Sequence, residues 1–227
     1  MSKPTLHLGL IMTAAGVILW GAACSLMPNM SKTPTPPVKQ PISIEDLFLQ
    51  GVDQYRAGQF GHAKETFDRV ISAQSRHLQA YNYRGRSLIE LKQLSPAFGD
   101  FDTCLQIDSR FAPAYSGKAM IFIQNKDYSS ALSSLDQALS LDSNDSEAYY
   151  LKGIALGYQN KLELSIKALK KCLELKPNHA YAHYQLGLAY YQAGRKDLAI
   201  VHLEKFLSLA PAAPEADQVR KLLASLR

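Results

Sequence analysis

Few residues of this 227-residue chain are spaced for chemistry. His179 and His183 stand four apart and would share one face of a helix, as two metal-ligating imidazoles do. Two ligands alone rarely hold a metal, and His183 falls at a packing position. Cys24, Cys104 and Cys172 match no zinc spacing and are too few for a disulfide framework. No Ser, His and Asp follow one another with supporting motifs. No glycine-rich loop is placed to cradle a phosphate, and no carboxylates pair in a plausible cleft. The expectation is no enzyme, no metal and no cofactor. A net charge of +5 is too mild to suggest nucleic acid. What remains is one thiol at the edge of an apolar run, Cys24, and twelve tyrosines suited to recognition rather than reaction. With 47% hydrophobic and 20% charged residues, the chain can bury a globular core.

The elements around Cys24 come first. Residues 8–27 carry no charge and follow Lys3. Twenty apolar residues would cross a hydrocarbon core of about 30 Å. Residues 1–23 also read as a secretory signal: a basic start, an apolar middle, then Gly21, Ala22 and Ala23. Those small residues before Cys24 resemble a bacterial lipobox, although Gly21 stands where the usual Leu would be. The resemblance implies a diacylated Cys24 and a lipid-anchored membrane protein of the bacterial cell envelope, facing the periplasm. Ser25 would permit sorting to the outer membrane. An uncleaved anchor over residues 8–27 and a soluble-export signal with a chance cysteine remain as alternatives. Lys3 on one side and Lys32 and Lys39 on the other leave orientation open. Residues 24–43 hold Pro28, Pro34, Pro36, Pro37 and Pro41 and read as an extended tether reaching at most about 60 Å.

Everything beyond the tether is one unit written five times. Ala63, Ala97, Ala131, Ser165 and Ala199 are 34 residues apart. Gly51, Gly85, Ala119, Gly153 and Gly187 keep the same step, as do Phe67, Phe101, Leu135, Leu169 and Leu203. Val70, Cys104, Ala138, Cys172 and Phe206 form a fourth register. Within a unit the apolar spacing is helical. Leu186, Ala189, Tyr190 and Ala193 make one face, and Leu198, Ala199, His202, Leu203 and Phe206 the next. Gly194 breaks the first helix and Pro211 stops the second. Gly187 and Ala199 would let the paired helices approach. Ser95 reads as an N-cap, with Pro96 at the first helical position.

A 34-residue helix pair with Leu186-Gly187, Tyr190, Ala199, a large apolar residue and Pro211 resembles the tetratricopeptide repeat. The resemblance implies an all-α fold: a right-handed α-solenoid of five helix pairs plus a C-terminal capping helix. The units are residues 44–77, 78–111, 112–145, 146–179 and 180–213, with the cap at 214–227. The first unit is the most degenerate, with Gln50 before Gly51.

In this family the first helices line a concave groove. The fifth, ninth and twelfth places of each unit assign its face to Phe48, Val52, Tyr55, Asn82, Arg86, Ile89, Ser116, Met120, Ile123, Tyr150, Ile154, Gly157, Tyr184, Leu188 and Tyr191, with Tyr158 and Tyr181 on the rim. An exposed apolar strip with tyrosine suits a bound peptide or helix. Burial of some of these residues by solenoid curvature, and filling of the strip by the chain's own tether or terminal helix, are the competing readings. The groove does not resemble the basic carboxylate clamp of chaperone-binding members, since Asn82 and Arg86 alone have its character. The fourth unit gathers Lys152, Lys161, Lys167, Lys170, Lys171 and Lys176 against Glu147, Glu163 and Glu174. Cys104 and Cys172, a whole unit or more apart, read as buried thiols.

The expected function is a membrane-tethered protein–protein interaction scaffold, with a protein or peptide partner in the groove and the membrane held by lipid or anchor. In leader, tether and repeats the chain resembles the tetratricopeptide pilotin lipoproteins of type IV pilus assembly and adaptor lipoproteins of cell-wall enzymes. An N-terminally anchored receptor facing the cytosol is the alternative.

Overall fold

The structure is a computed structural model that describes residues 42–226. The readings made for the leader, Cys24 and most of the tether lie outside the described residues.

Eleven α-helices make up the described residues, with no strand among them. They form five antiparallel pairs: α1 (Ile44–Arg56) with α2 (Phe60–Ala73), α3 (Leu78–Glu90) with α4 (Leu94–Ile107), and α5 (Ala112–Gln124) with α6 (Tyr128–Leu141). Then come α7 (Ser146–Tyr158) with α8 (Leu162–Leu175), α9 (Ala180–Gln192) with α10 (Lys196–Leu209), and a final α11 (Ala216–Leu226). This is an all-α solenoid of stacked helix pairs. First helices pack on the first helices of neighbouring pairs, whereas second helices touch no other second helix among the described residues. First helices therefore line the inner face, and second helices splay on the outer one.

The registers read from sequence are the core. Phe67, Phe101, Leu135, Leu169 and Leu203 are all but fully buried, as are Val70, Cys104, Ala138, Cys172 and Phe206. Gly153 shows why a small residue recurs on the first helices. A Cβ there would lie 2.5 Å from Leu169 Cγ, so the glycine seats the partner helix's large side chain. The neighbour it admits is that side chain more than a backbone.

Local signals set the ends. Ser43 Oγ accepts the Asp46 amide at 3.0 Å, and Asp145 Oδ1 accepts those of Glu147 and Ala148. His77 and His179 cap α3 and α9 with ring Nδ1 atoms at 3.1 Å from the Ala80 and Ala182 amides. Each turn inside a pair passes through a left-handed residue: Gly58, Lys92, Lys126, Asn160 and Gly194. Gly194 follows the glycine rule, but Lys92 and Lys126 adopt φ +61° at the steric cost of a Cβ. In the first pair Gln59 N–H donates to Gln54 O at 2.9 Å, closing the helix as a Schellman turn does. Helix α4 begins at Leu94 with Gln93 as N-cap, not Ser95. Pro96 is its third residue, still in the first turn, where the missing N–H has no intrahelical partner.

Helix α11 covers the last pair through Val219 and Leu223, which cluster with Leu203 and Phe206. It continues the repeat's step, because buried Ala216 falls in line with Ala80, Ala114, Ala148 and Ala182. The cap thus stands at the place of a sixth unit's first helix.

Candidate functional site: the inner face of the last two repeats

The inner face divides into two halves. Along the first three repeats it is shut by its own side chains. Val52 and Ile89 are buried, so neither lines an open groove; curvature presses them into the adjoining unit. Asn82 is also buried, and its Oδ1 has no partner among the described residues. Phe48 packs against the rings of Phe67, His77 and Tyr83, and Tyr55 sits edge-on to Phe60 and Tyr83. Arg86, its side chain 17% exposed, reaches past α5 to Glu147 on α7 at 3.2 Å. Tyr55 hydrogen-bonds the same guanidinium, and burial pushes the Tyr55 hydroxyl pKa up. Met120 and Ile123 are half-buried against the cores of the second and third repeats. What the sequence assigned to a groove is here a stitched seam.

From the fourth repeat on, the face opens. Ile154, Tyr158, Tyr184 and Leu188 border a cup of about 360 Å³ whose back wall is Gly153, Gly157 and Ser165. Ser165 Oγ donates to Gly153 O at 2.7 Å, which removes the one hydroxyl that would have made the floor polar. Tyr158 is 66% exposed and stacks on Tyr128, with ring centroids 5.0 Å apart. Tyr191 and Tyr181 are exposed as well. Tyr150 is half-buried, its ring 4.7 Å from that of His179.

Charge at the cup is sparse. Glu215, in the turn before α11, accepts the Tyr181 hydroxyl at 3.2 Å. Burial, then Glu215, raises the pKa of Tyr181 and of Tyr184, and burial raises that of Tyr150, so these phenols stay neutral donors. A well of mixed lining, with Ile154, Leu188 and the glycines beside Gln185, Gln192, Glu215 and neutral phenols, fits a side chain carried on a peptide or helix that offers both apolar surface and a hydrogen-bonding group.

His179 and His183 do not act together. His179 caps α9, whereas His183 is buried and bonds His202, Nδ1 to Nδ1, at 2.9 Å and the Pro177 carbonyl at 3.0 Å. Burial, then His183 and Lys170, brings the His202 pKa down to about 4. Cys104 and Cys172 are buried free thiols, and burial pushes them up to about 12 and about 11.

The position rule missed Gln185, Gln192 and Glu215, which also line the cup. The signal for Glu215 was present: it stands one repeat step beyond Tyr181, at the place of a sixth first helix.

The stacked pairs and inner cup define an α-solenoid of the scaffold kind. Three models described as tetratricopeptide repeat match residues 48–109, 112–145 and 158–224. Together they span most of the sequence, and the chain belongs to the tetratricopeptide-repeat family. No curated protein matches it by sequence. Among solved structures it is similar to TTC0263, a thermophilic TPR protein of Thermus thermophilus. That likeness has 19% identity and a TM-score of 0.70, over 81% of this chain and 98% of that one. It is also similar to PilW, described as a widely conserved type IV pilus biogenesis factor, at 18% identity and a TM-score of 0.67, over 80% and 86% of the two chains. A third similar structure is YrrB, described as a TPR protein with an unusual peptide-binding site, at 20% identity and a TM-score of 0.53, over 79% and 92%. At these identities the likeness shows the fold. No described helix is long and apolar enough to cross a membrane.

Proposed function

We propose that this chain is a membrane-tethered scaffold of the bacterial envelope that holds a peptide or helix of a partner protein in the cup of its fourth and fifth repeats. The observation that carries this reading is the open well of Ile154, Tyr158, Tyr184 and Leu188, on a face that is sealed elsewhere by its own packing. The family is one of interaction scaffolds. YrrB's described peptide-binding site and PilW's described role in pilus biogenesis favour a peptide ligand and an envelope setting. A subunit of a pilus secretin is the partner this reading puts first. The tether reading rests on Cys24 and the proline-rich segment of the sequence.

Gly157→Leu is the sharpest test of the cup. A Cβ there meets only Ser165 Oγ, at 3.4 Å, so the helix tolerates a side chain that then occupies the well. Leucine also replaces a glycine in the last turn of α7, a change that favours the helix by less than about 1 kcal/mol. The expected outcome is loss of co-purification with a co-expressed secretin subunit and an unchanged or higher melting temperature. Full capture by Gly157→Leu would put the interface elsewhere. Labelling with palmitate tests the anchor separately. No label on Cys24, with an intact N-terminus, would favour the uncleaved, cytosol-facing receptor.

A further inference from the structure

The outer face carries a second repeated feature, and the repeats act as controls for one another. Because second helices stand apart, the flank of each first helix lies open in a cleft beside its own second helix. In the second repeat Arg84 fills that cleft, paired to Asp100 and to Asp68 at 2.6 Å. In the fifth, His183 and His202 fill it together, with the Tyr190 ring stacked on His202. In the third it is a cleft of about 310 Å³ with Ser130, Ser133 and Ser134 on one wall. In the fourth it widens to about 530 Å³, and the same positions carry Leu164, Lys167 and Ala168, opposite Tyr149 and Lys152. Leu164 is 53% exposed there.

This cleft is apolar at its floor, and its rim carries Lys152, Lys167 and Lys171 beside Glu174, with Lys152 paired to Asp136 at 2.6 Å. The fourth unit's carboxylates are already engaged, Glu147 by Arg86, Glu163 by Arg195 and Glu174 by Lys171. Lys167 makes no ion pair among the described residues. Lys171 pairs only within its own helix, a surface contact of little worth that can re-form with another carboxylate. A bilayer is a poor occupant, since Leu156 and Ala168 are each only 6% exposed at the floor, beyond reach of a flat surface.

The opposite character stands at the other end of the solenoid. Helix α1 exposes Leu49, 49% accessible, between Asp46 and Asp53 on a shallow face, with Asp53 in an exposed and readily exchanged pair with Arg56 at 3.7 Å. Ile42 and Ile44 are exposed beside it. Solenoid ends need a polar covering, which α11 supplies at the far end; no described helix covers the outer side of α1.

We infer that the fourth-repeat cleft receives the α1 edge of a second copy of this chain, with Leu49 against Leu164 and the Asp46 and Asp53 carboxylates facing Lys167 and Lys171. An apolar knob between two carboxylates meets an apolar floor between lysines. The contact joins two different surfaces, so each copy keeps one of each unpaired, and assembly extends or closes into a ring.

The experiment uses the full chain in nonionic detergent, as a mixture of isotopically light and heavy copies, with a benzophenone photocrosslinker in place of Leu49. The expected result is light–heavy adducts mapping to α8. Lys167→Glu lowers their yield by about tenfold, and Asp53→Lys in the same chain restores most of it, as a charge pair across an interface requires. Ser133→Glu, in the third-repeat cleft, leaves the yield unchanged. Thermal melts confirm that each variant folds. Adducts confined within single copies, adducts away from α8, no adducts, or a yield indifferent to Lys167→Glu would each overturn the proposal.

Discussion

The inner face of the first three repeats and that of the last two are built from the same positions of the same unit, yet one is a seam and the other a cup. In the seam, aromatic rings at Phe48, Tyr55 and Tyr83 interlock, and Arg86 bridges to Glu147 across an intervening helix. In the cup, the corresponding places hold Ile154, Gly157, Tyr184 and Leu188, with no long cation to close them. Residue size and charge, more than repeat geometry, decide whether a first-helix face is core or surface.

The largest expected effect tests that division directly. Ile89 is fully buried, so Ile89→Ala removes buried methyl groups and leaves a cavity, costing about 2–5 kcal/mol. Leu188→Ala, at the half-exposed cup, costs about 1 kcal/mol or less, since less apolar area returns to water. Chemical denaturation of both variants measures the difference, and partner capture moves the other way, lost with Leu188→Ala. Equal destabilisation would erase the distinction between the halves. A smaller effect is expected at the seam's ion pair. Glu147→Gln leaves Arg86 half-buried without its carboxylate, at a cost of about 1–2 kcal/mol after allowance for Glu147's exposure. Partner capture is expected to persist in that variant, because neither Arg86 nor Glu147 lines the cup.

Acid sharpens the comparison by loosening one half first. His202, brought down to about 4, and His179, lowered by burial and then by Lys176, are both neutral in the fold and sit in or beside the last repeat. A base with a depressed folded pKa contributes stability that is fully present above its unfolded value, near 6.5, and lost as pH falls through the folded value. Melting temperature is therefore expected to decline from about pH 6.5 toward pH 4. Hydrogen exchange at pH 5 should open α9 and α10 before α3 to α5. Uniform opening would show that the histidines do not set the weak point.

The fold was legible because four registers repeat at a constant step, and such periodicity reports a stacked core irrespective of surface detail. Ala63, Phe67 and Val70 with their successors are that core. The inner face was legible only as a line of positions. Val52, Asn82 and Ile89 stand at groove places by period yet are buried, and Val52 and Ile89 pack against the first helix of the next unit, two helices on in sequence but adjacent in space. The Arg86–Glu147 bridge is of the same kind, for nothing local to either residue signals it. In the open half Ile154, Tyr158, Tyr184, Leu188 and Tyr191 are surface or half-surface residues in the fold, and the period alone marks their line. His183 shows the remaining gap. Its spacing from His179 is that of a ligand pair, and a capping role for one ring and a histidine partner for the other appear only in three dimensions.

The smallest expected effect lies at the turns and bears on why the two halves can differ at all. Each pair closes through one left-handed residue, and the scaffold tolerates Lys92, Lys126 and Asn160 there as well as Gly58 and Gly194. Lysine at φ +61° carries a Cβ clash that glycine lacks. Lys92→Gly and Lys126→Gly should each raise stability by about 0.5–1 kcal/mol, offset in part by the looser unfolded chain. Asn160→Gly should gain least, because asparagine already tolerates that region. Denaturation midpoints of the three variants give the order. A gain from the lysine variants that leaves partner capture untouched would show that the turns are spaced and strained alike in both halves, so that the cup owes its opening to Gly157 and its neighbours rather than to any change in how the fourth repeat is folded.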